Sequence, residues 1–90
     1  MTSKERAGLR SQANTIQPIF QIGKNGISDN TIKQVDDALE ARELIKITVL
    51  ETAGENTRDL AHEVAREVNA EVVQVIGSKF VLYRKSKKNN

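Results

Sequence analysis

The chain contains no cysteine and no tryptophan. Without thiols there is neither a disulfide framework nor a thiolate metal site. The one histidine, His62, leaves soft-metal coordination short of ligands. Catalysis by a histidine-activated nucleophile would rest on His62 alone, with nothing near it in sequence to complete the machinery. It stands among Arg58, Asp59 and Arg66, as an exposed helix residue would. Aromatic rings are scarce: Phe20, Phe80 and Tyr83. Phe20 and Phe80 read as core, and Tyr83 alone is too little for a sheet platform that stacks successive bases. No apolar run approaches the ~20 residues that cross a bilayer. The first ten residues, MTSKERAGLR, are charged where a signal peptide is apolar. The expectation is a cytoplasmic protein without a membrane partner.

What is present is 90 residues, enough for one domain. A chain of this size buries roughly 60–65% of its unfolded surface, so its core is a single layer of side chains. The net charge is only +2, with a pI near 9.1, but its distribution is uneven. From Lys79 onward stand Lys79, Arg84, Lys85, Lys87 and Lys88, with no carboxylate. A basic edge of this kind suits a polyanion through counterion release, or serves as a solubilising tail from about residue 85. Asp36, Asp37, Glu40 and Glu43 make the middle of the chain acidic. The first three read as a solvated helix face that repels RNA, rather than as a hard-cation site.

The pattern predicts α-β-α-β-α-β-β. Ser3 caps a first helix of about ten residues ending near Asn14, with Arg6 and Arg10 four apart on one face. Residues 16–22 alternate with Ile16, Pro18, Phe20 and Ile22 on one side; Pro18 demands an edge strand or a strand start. Ser28 or Asp29 caps a second helix through about Glu43, with Ile32, Val35 and Leu39 at helical spacing. LIKITVL is a strand with Ile45, Ile47 and Val49 inward. After the loop ETAGENT, Asn56 or Thr57 caps a helix whose stripe is Leu60, Ala61, Val64, Ala65 and Val68, stopped by a left-handed Asn69. EVVQVI and FVLYR form a hairpin through a type II′ Gly77-Ser78 turn. That turn pairs Ile76 with Lys79, Val75 with Phe80, Val73 with Leu82 and Glu71 with Arg84. Strands alternating with helices imply crossovers and a mixed sheet.

The junction between the first strand and the second helix is IGKNGIS. Glycine removes Cβ and lets a ligand approach the backbone. The helix start supplies amide hydrogens and partial positive charge, where phosphate binds well. Lys24 adds a full charge and Asn25 adds donors. The same glycines also suit a plain strand-to-helix turn. There is no Walker loop and no dinucleotide fingerprint. KH domains also clamp a nucleic-acid backbone with G-x-x-G, but the isoleucine usual three residues after the second glycine is replaced here by Asp29.

PIFQIGKNGIS, ALEARELIKITVL and AEVVQVIGSKFVLYR, in this order and spacing, resemble the CRM domain, named for chloroplast RNA splicing and ribosome maturation. The stand-alone bacterial YhbY-type members are the most similar, and the resemblance runs from about Leu9 to Lys85. It implies a two-layer α/β (α+β) fold with a four-stranded mixed sheet, similar to the C-terminal domain of translation initiation factor 3. It implies an RNA-binding protein that associates with ribosomal RNA in precursors of the large subunit. The family's loop falls on Gly23, Lys24, Asn25 and Gly26, and its basic surface on Lys4, Arg6, Arg10 and Lys33. With the C-terminal cations Lys79, Arg84 and Lys85, these are the candidate RNA contacts. No catalytic residue, metal site, cofactor or small-molecule substrate is expected, and the protein is read as a monomer. The alternative is a protein-docking domain. The sheet face away from Phe80 would carry Ile19, Leu50, Ile76, Val81 and Tyr83 among Gln17, Gln21, Lys46 and Gln74, and that half-apolar face either is partly covered by a helix or meets a protein or ribosomal surface. A duplex-DNA binder of similar topology is a further, weaker possibility.

Overall fold

The computed structural model describes residues 1–87. Lys88, part of the expected basic tail, lies outside the described residues. Three helices and four strands follow in the expected order: α1 (Ser3–Ala13), β1 (Pro18–Ile22), α2 (Asp29–Arg42), β2 (Leu44–Val49), α3 (Thr57–Val68), β3 (Glu71–Ile76) and β4 (Lys79–Tyr83). A 3₁₀ turn, Glu51–Ala53, interrupts the loop before α3.

Each helix begins where a side chain accepts an otherwise orphaned amide hydrogen. In α1 this is Thr2 rather than Ser3. The Thr2 hydroxyl accepts from the Glu5 amide at 3.1 Å, and the Glu5 carboxylate accepts from the Thr2 amide at 3.3 Å, a reciprocal box. Ser28 caps α2 through the Thr31 amide at 3.1 Å, and Asn56 caps α3 through the Asp59 amide at 2.8 Å. Asn69 ends α3 in the left-handed conformation, φ +56°.

The sheet order is β1-β2-β4-β3, with β1 parallel to β2 and the other pairs antiparallel. Helices α2 and α3 cover one face. There Val35 and Leu39 of α2 and the whole expected stripe of α3 meet Ile22, Ile45, Ile47, Val49, Phe80 and Leu82. Burying each such side chain contributes roughly 1.5–3 kcal/mol, so this layer is the main source of stability. The opposite face is not left bare. Helix α1 lies across it, with Ala13 fully buried against Val73 and Val81 and with Leu9, Leu44 and Tyr83 at the margin. That contact adds a partial third layer over Val81 and Tyr83, the first of the two expectations for this face.

Two strands depart from the simple alternation. Pro18 pairs with Lys46, but the register then slips so that Phe20 meets Ile47. Ile16 lies outside the strand, and Ile19 packs on the main core beside Phe20 instead of facing away. In the hairpin, Ile76–Lys79 and Val75–Phe80 pair as expected, and Gly77 alone in the turn has positive φ, +56°. Beyond Gln74–Val81 the register shifts, so Leu82 faces Val72 and Glu71 faces Tyr83. The expected pairs Val73–Leu82 and Glu71–Arg84 are therefore wrong. A bulge at Val73 turns that side chain, 3% exposed, toward α1 instead of α2 and α3.

Candidate functional site

The parallel pairing makes β1 and β2 end together, with Ile22 opposite Val49. Strand β4 begins at that same end, since Thr48 faces Lys79 and the Val49 amide donates to the Ser78 carbonyl at 2.6 Å. One edge of the sheet thus gathers the Gly23–Gly26 loop, the 3₁₀ turn and the Gly77-Ser78 turn. The Leu50 amide donates to the Ile22 carbonyl at 2.8 Å, which ties the first two together.

The loop is a tight turn closed by the Gly26 amide on the Gly23 carbonyl at 2.8 Å. Lys24 and Asn25 form its exposed tip. Their amides make no backbone hydrogen bond among the described residues, while the Gly26 amide is taken. The two glycines serve different needs. A Cβ on Gly23 would meet Leu50 Cδ1 at 3.3 Å and Thr52 Oγ1 at 3.4 Å, so Gly23 is small because the 3₁₀ turn packs on it. Gly26 sits at φ +61° with nothing within 4 Å of where a Cβ would be. Only Gly26 therefore combines a backbone requirement with a side kept clear toward solvent. The α2 start is also set back. Ile27 and Ser28 intervene, the Ser28 hydroxyl occupies the Thr31 amide, and Asp29 places a carboxylate in the first turn. The anion-binding capacity of this junction therefore rests on the Lys24–Asn25 tip more than on the helix end.

The candidate cations divide. Lys24 and Lys79 are exposed at the loop edge, and Lys33 is exposed one turn into α2. Arg10 is exposed on α1. Arg6 is not a free cation: its guanidinium donates to the Val72 carbonyl and docks α1 on β3. Arg84 is withdrawn from the surface. Its side chain is 12% exposed and donates to Asp36 Oδ1 at 2.6 Å, the Val68 carbonyl at 2.8 Å and Glu40 Oε1 at 3.4 Å. Lys85 is exposed, but Arg84 and Lys85 follow the end of β4 and so stand a strand length away from Lys79. Asp36 and Glu40 are therefore not simply a solvated face. They receive the Arg84 guanidinium, and Glu40 and Glu43 also hold the Ser86 and Lys87 amides, strapping the C-terminal segment to α2. Glu43 adopts a left-handed φ of +66°, and its carbonyl accepts the Arg84 amide at 3.0 Å. None of these pairings had a local sequence signal: Arg84 lies 16 residues from Val68, and the carboxylate partners lie more than forty residues apart. Lys46, left out of the expected set, lies two residue pairs inward from Lys79.

A small mixed-sheet α/β domain with a glycine-bracketed cationic tip at one sheet edge defines a class, and the comparisons place the chain within it. The chain belongs to the CRS1/YhbY (CRM) domain family, whose model matches residues 1–84. It is 47% identical over 89 residues to the "Probable RNA-binding protein YqeI" of Bacillus subtilis, covering 99% of this chain and 93% of that protein. It is 31% identical over 86 residues to a protein of Haemophilus influenzae named "RNA-binding protein", covering 96% and 87%. Among solved structures, the hypothetical protein SAV1595 of Staphylococcus aureus, for which RNA binding has been suggested, superposes with a TM-score of 0.78. It is 48% identical, and the match covers 100% of this chain and 94% of that one.

Proposed function

We propose that this chain is a cytoplasmic, monomeric RNA-binding protein that associates with ribosomal RNA in precursors of the large subunit. The observation that carries the reading is the Lys24–Asn25 tip. Its two amides take no backbone partner among the described residues and its ammonium group is exposed, on a turn closed by the Gly26 amide on the Gly23 carbonyl. In a family whose relatives are named for RNA binding, such a tip suits a phosphate. Lys24 supplies charge, the amides supply directed donors, and neither reads a base. Lys33 on α2 and Lys79 at the start of β4 are exposed cations on the elements adjoining the loop, and Arg10 and Lys85 are peripheral. No step of this reading requires a cofactor or a chemical reaction.

Two experiments test it. Crosslinking in cells, with sequencing of the attached RNA, is expected to recover mainly large-subunit precursor sequences. Reads dominated by messenger or transfer RNA would remove the ribosomal assignment and leave RNA binding intact. In vitro, Lys24→Ala is expected to weaken all RNAs about equally and to lower the salt slope by about 0.7–0.9, one phosphate's share. An unchanged slope removes Lys24 from the interface.

A further inference from the structure

Helix α1 covers only part of its sheet face. Ala13 and Leu9 seat on Val73, Val81, Leu44 and Tyr83, and the helix ends there. Beyond it, Lys46 lies opposite Val81 and Thr48 opposite Lys79, while Gln74 faces Val81 and Ile76 faces Lys79 from the other side. Directly opposed residues share a face, so Lys46, Lys79, Gln74 and Ile76 project together. With Asn14 and Val81 they line a hollow of about 140 Å³. Ile76 is 59% exposed, more than any other large apolar residue described.

The charge on this hollow has one sign. Lys46 and Lys79 are diagonal neighbours, about 7–8 Å apart. No residue lining the hollow is acidic. Neither lysine enters an ion pair or a side-chain hydrogen bond among the described residues. The hollow is also continuous with the loop edge. Gln21 of β1 lies opposite Thr48, and Lys24 follows three residues on. Lys79 is two strand spacings, about 10 Å, across from β1. Two like charges without a counter-charge repel each other, and a polyanion laid along them removes that repulsion. The uncharged polar groups, Gln74 and Asn14, are amides that donate and accept as base edges do. A single exposed isoleucine is too small an apolar core for a stable protein interface.

We propose that this hollow is a second RNA site, taking an unpaired segment that continues from the loop. Lys79 and Lys46 neutralise its phosphates, and one unstacked base lies on Ile76 beside Gln74 and Asn14. The site rests on the RNA-binding reading above and extends it from the loop to the sheet. A duplex keeps its bases stacked inside, so it reaches the lysines and not Ile76.

The test is fluorescence anisotropy of the full chain with a short unstructured single-stranded RNA and a hairpin duplex, titrated over matched salt concentrations. Lys46→Ala and Lys79→Ala are each expected to lower the single-strand salt slope by about 0.7. Ile76→Ser is expected to weaken the single strand about fivefold, by loss of part of the apolar burial of one side chain against a base, with its slope unchanged and the duplex within about twofold. Ile76→Thr, which keeps the branched β-carbon, guards against a change in strand stability and is expected to act in the same direction. Should Lys24→Ala weaken binding while all four sheet variants leave it unchanged, the sheet site falls and the loop reading stands. Should the unmodified chain bind neither RNA at low salt, both fall. Loss of a co-purifying ribosomal protein from the Ile76 variants, with RNA affinity unaltered, would make the hollow a protein site and overturn the proposal.

Discussion

Replacing Arg84 by methionine separates a structural cation from a nucleic-acid contact. The guanidinium links three elements: Asp36 and Glu40 on α2, the Val68 carbonyl at the end of α3, and its own position after β4. Methionine keeps much of the buried stem and removes every donor. Hydrogen bonds to charged groups contribute about 1.5–3 kcal/mol each, and they do not add. Asp36 is 52% exposed and regains water, so its share is small. Glu40 is 21% exposed and Val68 offers a part-buried carbonyl, so their losses count for more. Arg84 Nε is itself buried without an acceptor, which already subtracts from the net gain. The loss should therefore fall near 2–3 kcal/mol, below the 3–5 of a fully buried pair. At 4–8 °C per kcal/mol for a domain of this size, the melting temperature should drop by roughly 10–20 °C. Thermal unfolding followed by circular dichroism measures the drop. RNA titrations at a temperature where both proteins are folded should give the same salt slope. A melting shift of only about 1–2 °C, together with a slope reduced by about 0.7 or more, would refute the reasoning and return Arg84 to the RNA surface.

Gly26→Ala forces a Cβ into φ +61° and should cost about 1–2 kcal/mol by chemical denaturation. Gly23→Ala meets only the exposed side chains of Leu50 and Thr52, which can yield, and should cost less than half of that; equal costs would contradict the two roles assigned to the glycines. Thr2→Ala removes the α1 cap and should lower stability by about 1 kcal/mol, with amide exchange rising first in residues 3–6. The Glu5 carboxyl lies below its ordinary value, chiefly through its hydrogen bond with the Thr2 side chain and then with the Thr2 backbone. A lowered folded-state value means the cap's contribution is complete above the unfolded value and is lost as pH falls through the folded one. Acidification should therefore fray α1 in the parent chain, and Thr2→Ala should flatten that response in helix-specific exchange.

Much of the fold was legible because its signals are local. The α3 stripe, the Asn56 cap, the Asn69 stop and the Gly77 turn each depend on residues within a few positions of one another, and each lies where the spacing implied. The alternation of LIKITVL likewise placed Ile45, Ile47 and Val49 inward. The loop was visible as a glycine pair around Lys24, but its division of labour was not. Nothing near Gly23 indicates that Leu50 and Thr52 will press against it.

The amino-acid order by itself settled which segments become helices and strands and in what succession, since caps, turns and apolar periods act over one or two turns of chain. Tertiary structure alone decided the bulge at Val73, the seat of α1 on the second sheet face, and the fate of the cations. Arg6 is spent on a carbonyl 66 residues away and Arg84 on carboxylates 48 and 44 residues away along the chain, while Lys24, Lys46 and Lys79 have no acid partner among the described residues. The reason is physical: a charge meets whatever the fold brings within a few ångströms, and sequence distance carries no record of that.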